Sequence, residues 1–237
     1  MNRLLDPKSS EQEESHWLSV SDLMAGLMMV FLFIAVALMR EAFIERDKIK
    51  EVAVAYQDNQ VAIYDALMTE FSKDLSSWDA TIDPESLTFT FQSPDVLFAQ
   101  GKINLSKRYQ ELLKDFFPRY MTVLDKFAPS INEVRIEGHT SSVWNNHVSD
   151  TEAYFLNMSL SQGRTRSVLA YIYQLPEIQQ YSPWIKRHFA AVGFSSSRLV
   201  MDEQDSAKED RVQSRRVTFR VITNADIKMR QILELEG

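Results

Sequence analysis

Cysteine is absent from this 237-residue chain. That excludes structural disulfides, a thiol nucleophile and thiolate zinc sites, and leaves the redox compartment open, because exported proteins also do without cysteine. A surplus of positive charge is missing too: 26 Lys and Arg stand against 33 Asp and Glu, a formal net charge of -7. Phosphate backbones are held by clustered cations, so nucleic acid is not an expected partner. No Walker loop, dinucleotide fingerprint or Ser-His-Asp spacing occurs, and the chain is read as a non-enzyme without a cofactor. His139 and His147 make a poor pair of metal ligands at their spacing, so no metal is expected. Long apolar runs are lacking everywhere except in one place.

That place is residues 18–39, LSVSDLMAGLMMVFLFIAVALM, where Asp22 is the single ionisable group. The run is long enough as a helix to cross a hydrocarbon core of about 30 Å. A cleaved signal peptide is the rival reading, since AVA at 35–37 imitates a cleavage site. Against it, Asp6, Glu11, Glu13 and Glu14 outnumber Arg3 and Lys8 upstream, and the apolar run exceeds an ordinary signal core. The segment is therefore read as a retained membrane helix. Arg40, Arg46, Lys48 and Lys50 follow it, and the charge rule alone would keep that side in the cytoplasm. The orientation adopted is the opposite one, N-terminus in the cytoplasm, for a reason that lies in the C-terminal domain.

Asp22 shares a helical face with Ala25, Gly26, Met29 and Phe33. A carboxylate inside an apolar helix costs a few kcal/mol when it faces lipid, so it normally faces protein or water, and small neighbours allow another helix to approach closely. The other reading places Asp22, near Trp17, at the membrane interface as a helix cap. Position alone leaves both open.

Residues 40–75 contain neither Gly nor Pro, and Ile49, Ala53, Tyr56, Ile63, Leu67 and Phe71 recur at near-helical spacing. The helix is expected to continue beyond the membrane and to pack on its own domain or on a second copy. Residues 76–84, SSWDATIDP, read as a break. LTFTFQ at 87–92 alternates as a half-buried strand does. Asn104 or Ser106 then caps a helix through Leu112, Leu113, Phe116 and Leu124, with a kink or restart at Pro118. A second strand at 131–137 enters GHT, and a loop runs to Leu156. Ser159 or Ser161 opens a helix carrying Val168, Leu169, Ile172 and Leu175, which Pro176 closes. Strands at 187–192 and 216–222 complete the order βαβαββ, an α+β fold with helices on one face of a mixed sheet. A short or frayed helix is expected from Asp226.

VRIEGHT at 134–140, NMSLSQGRTRSV at 157–168 and SRRV at 214–217 carry a resemblance. Together they resemble the peptidoglycan-binding core of OmpA-like domains, a strand ending in GHTD, then N-x-x-L-S-x-x-R on a helix, then NRRV before the last strand. The resemblance implies that Thr140, Asn157, Leu160 and Arg164 bind peptidoglycan. In that family the aspartate after GHT and the helix arginine hold the two ends of zwitterionic diaminopimelate. Here Ser141 replaces that aspartate, and Asp150 or Glu152 is a candidate for the missing charge. Arg166, Arg211, Arg215, Arg216 and Arg220 read as scattered surface arginines.

Trp17, Ser21, Asp22 and MAGLMMVFLFI resemble the ion-carrying helix of MotB-type stator subunits, most of all those of anti-phage defence systems. The resemblance implies a homodimer of this chain inside a pentamer of a MotA-like membrane subunit, with protonation of Asp22 coupling ion flow to rotation while the outer domain grips peptidoglycan. Its implied organisation is a cytoplasmic N-terminus at 1–17, the membrane helix at 18–39, a juxtamembrane helix and linker at 40–84, a periplasmic wall-binding domain at 85–224 and a tail at 225–237. Two alternatives stand beside the defence motor: a flagellar stator subunit, and a passive tether without ion flow, which would tolerate asparagine at position 22.

Overall fold

The computed structural model describes the backbone of residues 7–92, 97–145, 147–202 and 204–227, and the side chains within those ranges from residue 20 onward, Ala55 excepted. Trp17's side chain, the first six residues and the tail beyond Ile227 lie outside the described residues. The chain divides into two units after Glu51.

The described residues of the first unit belong to α1 (Pro7–Phe71). Side chains 20–48 are exposed throughout. The stretch beginning at Val20 has an 18-residue window of mean hydropathy 2.4, long and apolar enough to cross a membrane. Exposed Leu, Met, Phe and Ile in such density fit a lipid environment and not water. Among them lies Asp22, also exposed, on the stripe with Gly26, whose missing Cβ would meet nothing within 4 Å.

The second unit has its own core. Ile63, Leu67 and Phe71, on the last turns of α1, are fully buried there. The stripe read from the sequence thus packs on its own domain over these residues. The stretch expected to be a break instead holds α2 (Leu75–Trp78) and a strand, β1 (Ala80–Asp83). β1 pairs antiparallel with β2 (Thr88–Phe91), so the sheet has one strand more than the expected order. α3 (Lys107–Asp125) is capped by the Ser106 hydroxyl, which accepts from the Tyr109 amide at 3.1 Å. It runs through Pro118 as one helix, so the chain does not restart there.

β3 (Ile131–His139) extends two residues beyond the expected strand. α4 (Asp150–Ile172) follows a short loop, and α5 (Ser182–His188) leads directly into β4 (Phe189–Gly193), which the sequence had begun at Arg187. A single turn, α6 (Arg211–Ser214), precedes β5 (Arg216–Thr223). The sheet order is β1-β2-β5-β3-β4, mixed because β3 and β4 are parallel and the other pairs antiparallel. Strand alternation sends Phe89, Phe91, Val134, Ile136, Val217, Phe219 and Val221 to one face, where α3, α4 and the end of α1 cover them. Phe116 lies at the centre, within 5.3 Å of the rings of Phe71, Phe89, Phe91, Tyr120 and Phe219. The expected α+β fold, helices on one face of a mixed sheet, is the observed one.

Candidate functional site

The cap of α4 lies at Ser149, ten residues before the expected Ser159 and twelve before Ser161. The Ser149 hydroxyl accepts from the Glu152 amide at 3.3 Å. Asn157, Leu160 and Arg164 therefore lie in its middle turns, and their i, i+3, i+7 spacing still sets them along one side. That side meets the sheet where two glycines pair across β3 and β4, Gly138 opposite Gly193. A Cβ on Gly193 would stand 2.5 Å from the Gln162 amide nitrogen, and one on Gly138 would stand 2.8 Å from the Ser161 carbonyl. Only glycine lets the helix come this close.

The close approach pulls both outgoing loops onto α4. Ser195, at φ 52°, accepts the Thr140 amide at 2.9 Å through its carbonyl, donates its own amide to the Ser161 hydroxyl at 3.1 Å, and donates its hydroxyl to the Tyr154 carbonyl at 2.6 Å. The Asn157 amide donates to the Ser141 carbonyl at 3.1 Å. Thr140, Ser141, Asn157, Leu160 and Arg164 are thereby gathered on the wall of one open pocket of about 390 Å³, with Trp144 on its rim. Arg164 is buried; its Nε donates to the Lys102 carbonyl at 3.0 Å, and its guanidinium lies 4.8 Å above the Phe98 ring.

Two cations of this pocket, Arg211 and Arg215, read in the sequence as scattered surface charges. Arg215 lies within the SRRV segment and Arg211 three residues before it, which was the one hint otherwise. No acidic side chain lines the pocket among the described residues. Asp150 and Glu152, the candidates for the missing charge, stand in the first turn of α4 and are exposed away from it. Beside Arg211, at 3.9 Å, stands the carboxylate of Glu209, which accepts from the Ser142 amide at 3.0 Å and the Ser142 hydroxyl at 2.6 Å.

His139, the centre of GHT, points to the other face of the sheet. It stacks on Phe194 and lies 3.5 Å from Glu137, which Arg198 approaches at the same distance. Burial pulls the imidazole below its ordinary value of 6.5, against the opposing Glu137 hydrogen bond and with the help of the Arg216 and Arg198 charges. His139 is thus a structural group beneath the pocket and not part of its wall.

No protein-family model matches the chain. The Zorya protein ZorB of Escherichia coli is 53% identical over 224 residues, which are 94% of this chain and 94% of that protein. The chain belongs to the ZorB family. Among solved structures, this ZorB-family chain is similar to a MotB-like protein from Desulfovibrio vulgaris at 20% identity (TM-score 0.48, 71% of this chain and 96% of that one). It is similar also to the cell wall anchor of the T6SS from Pseudomonas aeruginosa at 20% identity (TM-score 0.45, 67% and 97%). The periplasmic domain of Helicobacter pylori MotB is 13% identical (TM-score 0.42, 66% and 90%).

Proposed function

We propose that this ZorB-family chain is the B-type subunit of a proton-driven, stator-like motor that acts in anti-phage defence. It is a single-pass inner-membrane protein with a cytoplasmic N-terminus, the span at 18–39, a connecting helix and linker at 40–84, and a periplasmic domain at 85–224 that grips peptidoglycan. Its partners are a second copy of itself and a MotA-like, ZorA-like membrane subunit, five copies of which surround the dimer.

The observation that carries this reading is the solitary carboxyl of Asp22 within the apolar span at 18–39, whose side chains from residue 20 onward are exposed, in a chain of this family. Ionised, Asp22 needs water or polar groups on the surrounding subunit; protonated, it passes apolar surface at far lower cost. Alternation between the two states gives direction to ring motion. The outer domain is the fixed end, because a ring does no work on its surroundings if its axle also turns. Thr140, Asn157, Leu160 and Arg164 are assigned to the wall contact, with Arg164 offering a guanidinium to a stem-peptide carboxylate.

The test is Asp22→Asn, which keeps size and polarity and removes the titratable proton. Normal membrane levels and normal recovery of the partner subunit with loss of phage protection are expected. Full protection by this variant would end the motor reading and leave a tether.

A further inference from the structure

We propose that the buried pair of Glu137 and His139 is a proton-operated latch beneath the pocket: with the imidazole neutral it holds the segment 194–200 and α6 in place, and a proton taken up there releases them. The consequence for wall grip rests on the wall-anchoring reading, whereas the latch itself does not.

One imidazole is joined to both segments. The rings of His139 and Phe194 stack with centroids 5.3 Å apart, and the Arg198 guanidinium lies 3.7 Å from the Phe194 ring centre. Arg198 also reaches Glu137 Oε2 at 3.5 Å, the oxygen that His139 Nε2 approaches at the same distance. Across the sheet His139 stands opposite Arg216. The Arg216 guanidinium donates to the carbonyls of Gln213 at 3.3 Å and Ser214 at 3.2 Å, at the end of α6, and to that of Arg198 at 3.2 Å. Ser214 adds a second tie, its hydroxyl accepting the Val200 amide at 2.9 Å. The two segments in turn shape the pocket: the Ser195 carbonyl holds the Thr140 amide, and Arg211 at the start of α6 and Arg215 just after it stand on the lining.

Glu137 and His139 are 3% and 4% exposed, and among the described residues Glu137 Oε1 and His139 Nδ1 have no hydrogen-bond partner. The charged groups facing the imidazole are Glu137 from β3, Arg198 from the segment after β4 and Arg216 from β5, while Arg220 of β5 acts on Glu137. A neutral imidazole adds no charge to this set. An imidazolium adds a fourth cation around one carboxylate, in a place with little water to screen it. Glu137 favours the added proton, but burial and the two facing arginines oppose it and hold the imidazole below its ordinary value. The repulsion is relieved where movement is cheapest. The Arg198 side chain, 42% exposed, swings off Phe194 into water, and Arg216 gives up its three carbonyls. With those bonds go the fastenings of 194–200 and α6.

Hydrogen exchange of the full-length chain in detergent micelles, corrected for the intrinsic pH dependence of exchange, tests the latch without any ligand. Between about pH 7.5 and pH 5.5, protection of 194–200 and 211–215 should fall roughly tenfold while that of α3 stays within about twofold. His139→Gln cannot take up the proton and should keep its protection. Arg198→Gln removes one opposing charge, so its transition should move to higher pH, and it carries the test should glutamine at 139 prevent folding. Protection of 194–200 that does not change with pH, an equal loss in His139→Gln, or an unmoved transition in Arg198→Gln overturns the latch. Co-sedimentation with purified peptidoglycan reads the consequence: the parent should bind roughly fivefold more weakly at pH 5.5 and His139→Gln within about twofold, since wall carboxylates with ordinary values near 4 stay ionised throughout. Wall binding that ignores pH beside a working latch overturns its link to the pocket. No wall binding at any pH, with exchange still pH-dependent, overturns the wall reading and leaves the latch standing.

Discussion

The side-chain amide of Asn157 donates a 3.1 Å hydrogen bond to the carbonyl of Ser141, sixteen residues earlier in the chain. It fastens the middle of α4 to the loop that leaves β3 and so sets the width of the pocket between them. Asn157 is 3% exposed and its amide is committed to the protein, so its part in the proposed wall contact is to hold the pocket wall in place.

Asn157→Ala removes the donor and strands a buried carbonyl. A loss of about 1–2 kcal/mol in stability is expected. Thermal unfolding of the full-length chain in detergent measures it. An unchanged Tm with lost wall binding would instead put Asn157 in direct contact with the ligand.

The glycine pair under α4 yields a contrast within one helix interface. Gly193→Ala drives a Cβ into the backbone of Gln162 at 2.5 Å, and neither strand nor helix gives way cheaply, so destabilisation of about 3 kcal/mol is expected. Gly163→Ala meets the Ile103 side chain at 2.7 Å, a group that can rotate, and it gains up to about 1 kcal/mol of helix propensity. Its melting temperature should stay close to that of the parent. Equal loss in both variants would mean that helix–sheet separation at Gly193 is not the constraint.

Stability should depend on pH through His139. Its folded pKa lies below the ordinary 6.5, chiefly by burial, so the unfolded chain binds the proton more readily. The stabilisation is complete above the unfolded value and is lost as pH falls through the folded one. Glu137 adds to the slope only at more acid pH: burial pushes its carboxyl up, but His139, Arg198 and Arg220 outweigh this and hold it below 4.5. With His139 neutral near pH 7, the arginines supply the charge for that. Tm is expected to fall between about pH 7.5 and pH 5.5, and His139→Gln should flatten that fall. A variant with the parental slope would remove His139 as its source.

The apolar N-terminal helix was legible as an unbroken hydrophobic run, and most strands of the sheet because each has one apolar face. Alternation in LTFTFQ puts Phe89 and Phe91 on one side, and both are buried. β1 was hidden because Ala80 and Ile82, its two inward residues, sit among turn formers and gain their meaning only by pairing with Phe91 and Phe89. α4 was begun too late for a different reason. The face it turns to the glycine pair and the pocket carries Asn157, Ser161, Arg164 and Thr165, all buried and all polar, so apolar periodicity is faint there. The Ser-x-x-Glu spacing from Ser149 to Glu152 was the available signal. The pocket's core residues were legible from the motif, whereas Arg211 and Arg215 reach it only through the turn before β5.

Arg164 separates a structural role from a wall-binding one only if the substitution is chosen with its neighbours in view. Its Nε bond to Lys102 and its stacking over Phe98 both belong to the folded domain, so Arg164→Ala should lower stability by about 1–3 kcal/mol as well as weaken the wall contact. An unchanged melting temperature is therefore not expected of the alanine variant. Arg164→Lys keeps the positive charge and much of the apolar stem but loses the planar fork, so it should hold the fold more nearly intact while giving up bidentate pairing with a carboxylate. Co-sedimentation of the detergent-solubilised full chain with purified peptidoglycan, read beside Tm for both variants, resolves the two roles. The lysine variant is expected to keep a Tm within a few degrees of the parent and to bind the wall roughly tenfold more weakly. Parental binding by the lysine variant would reduce Arg164 to a charge, and parental binding by the alanine variant would remove it from the wall contact altogether.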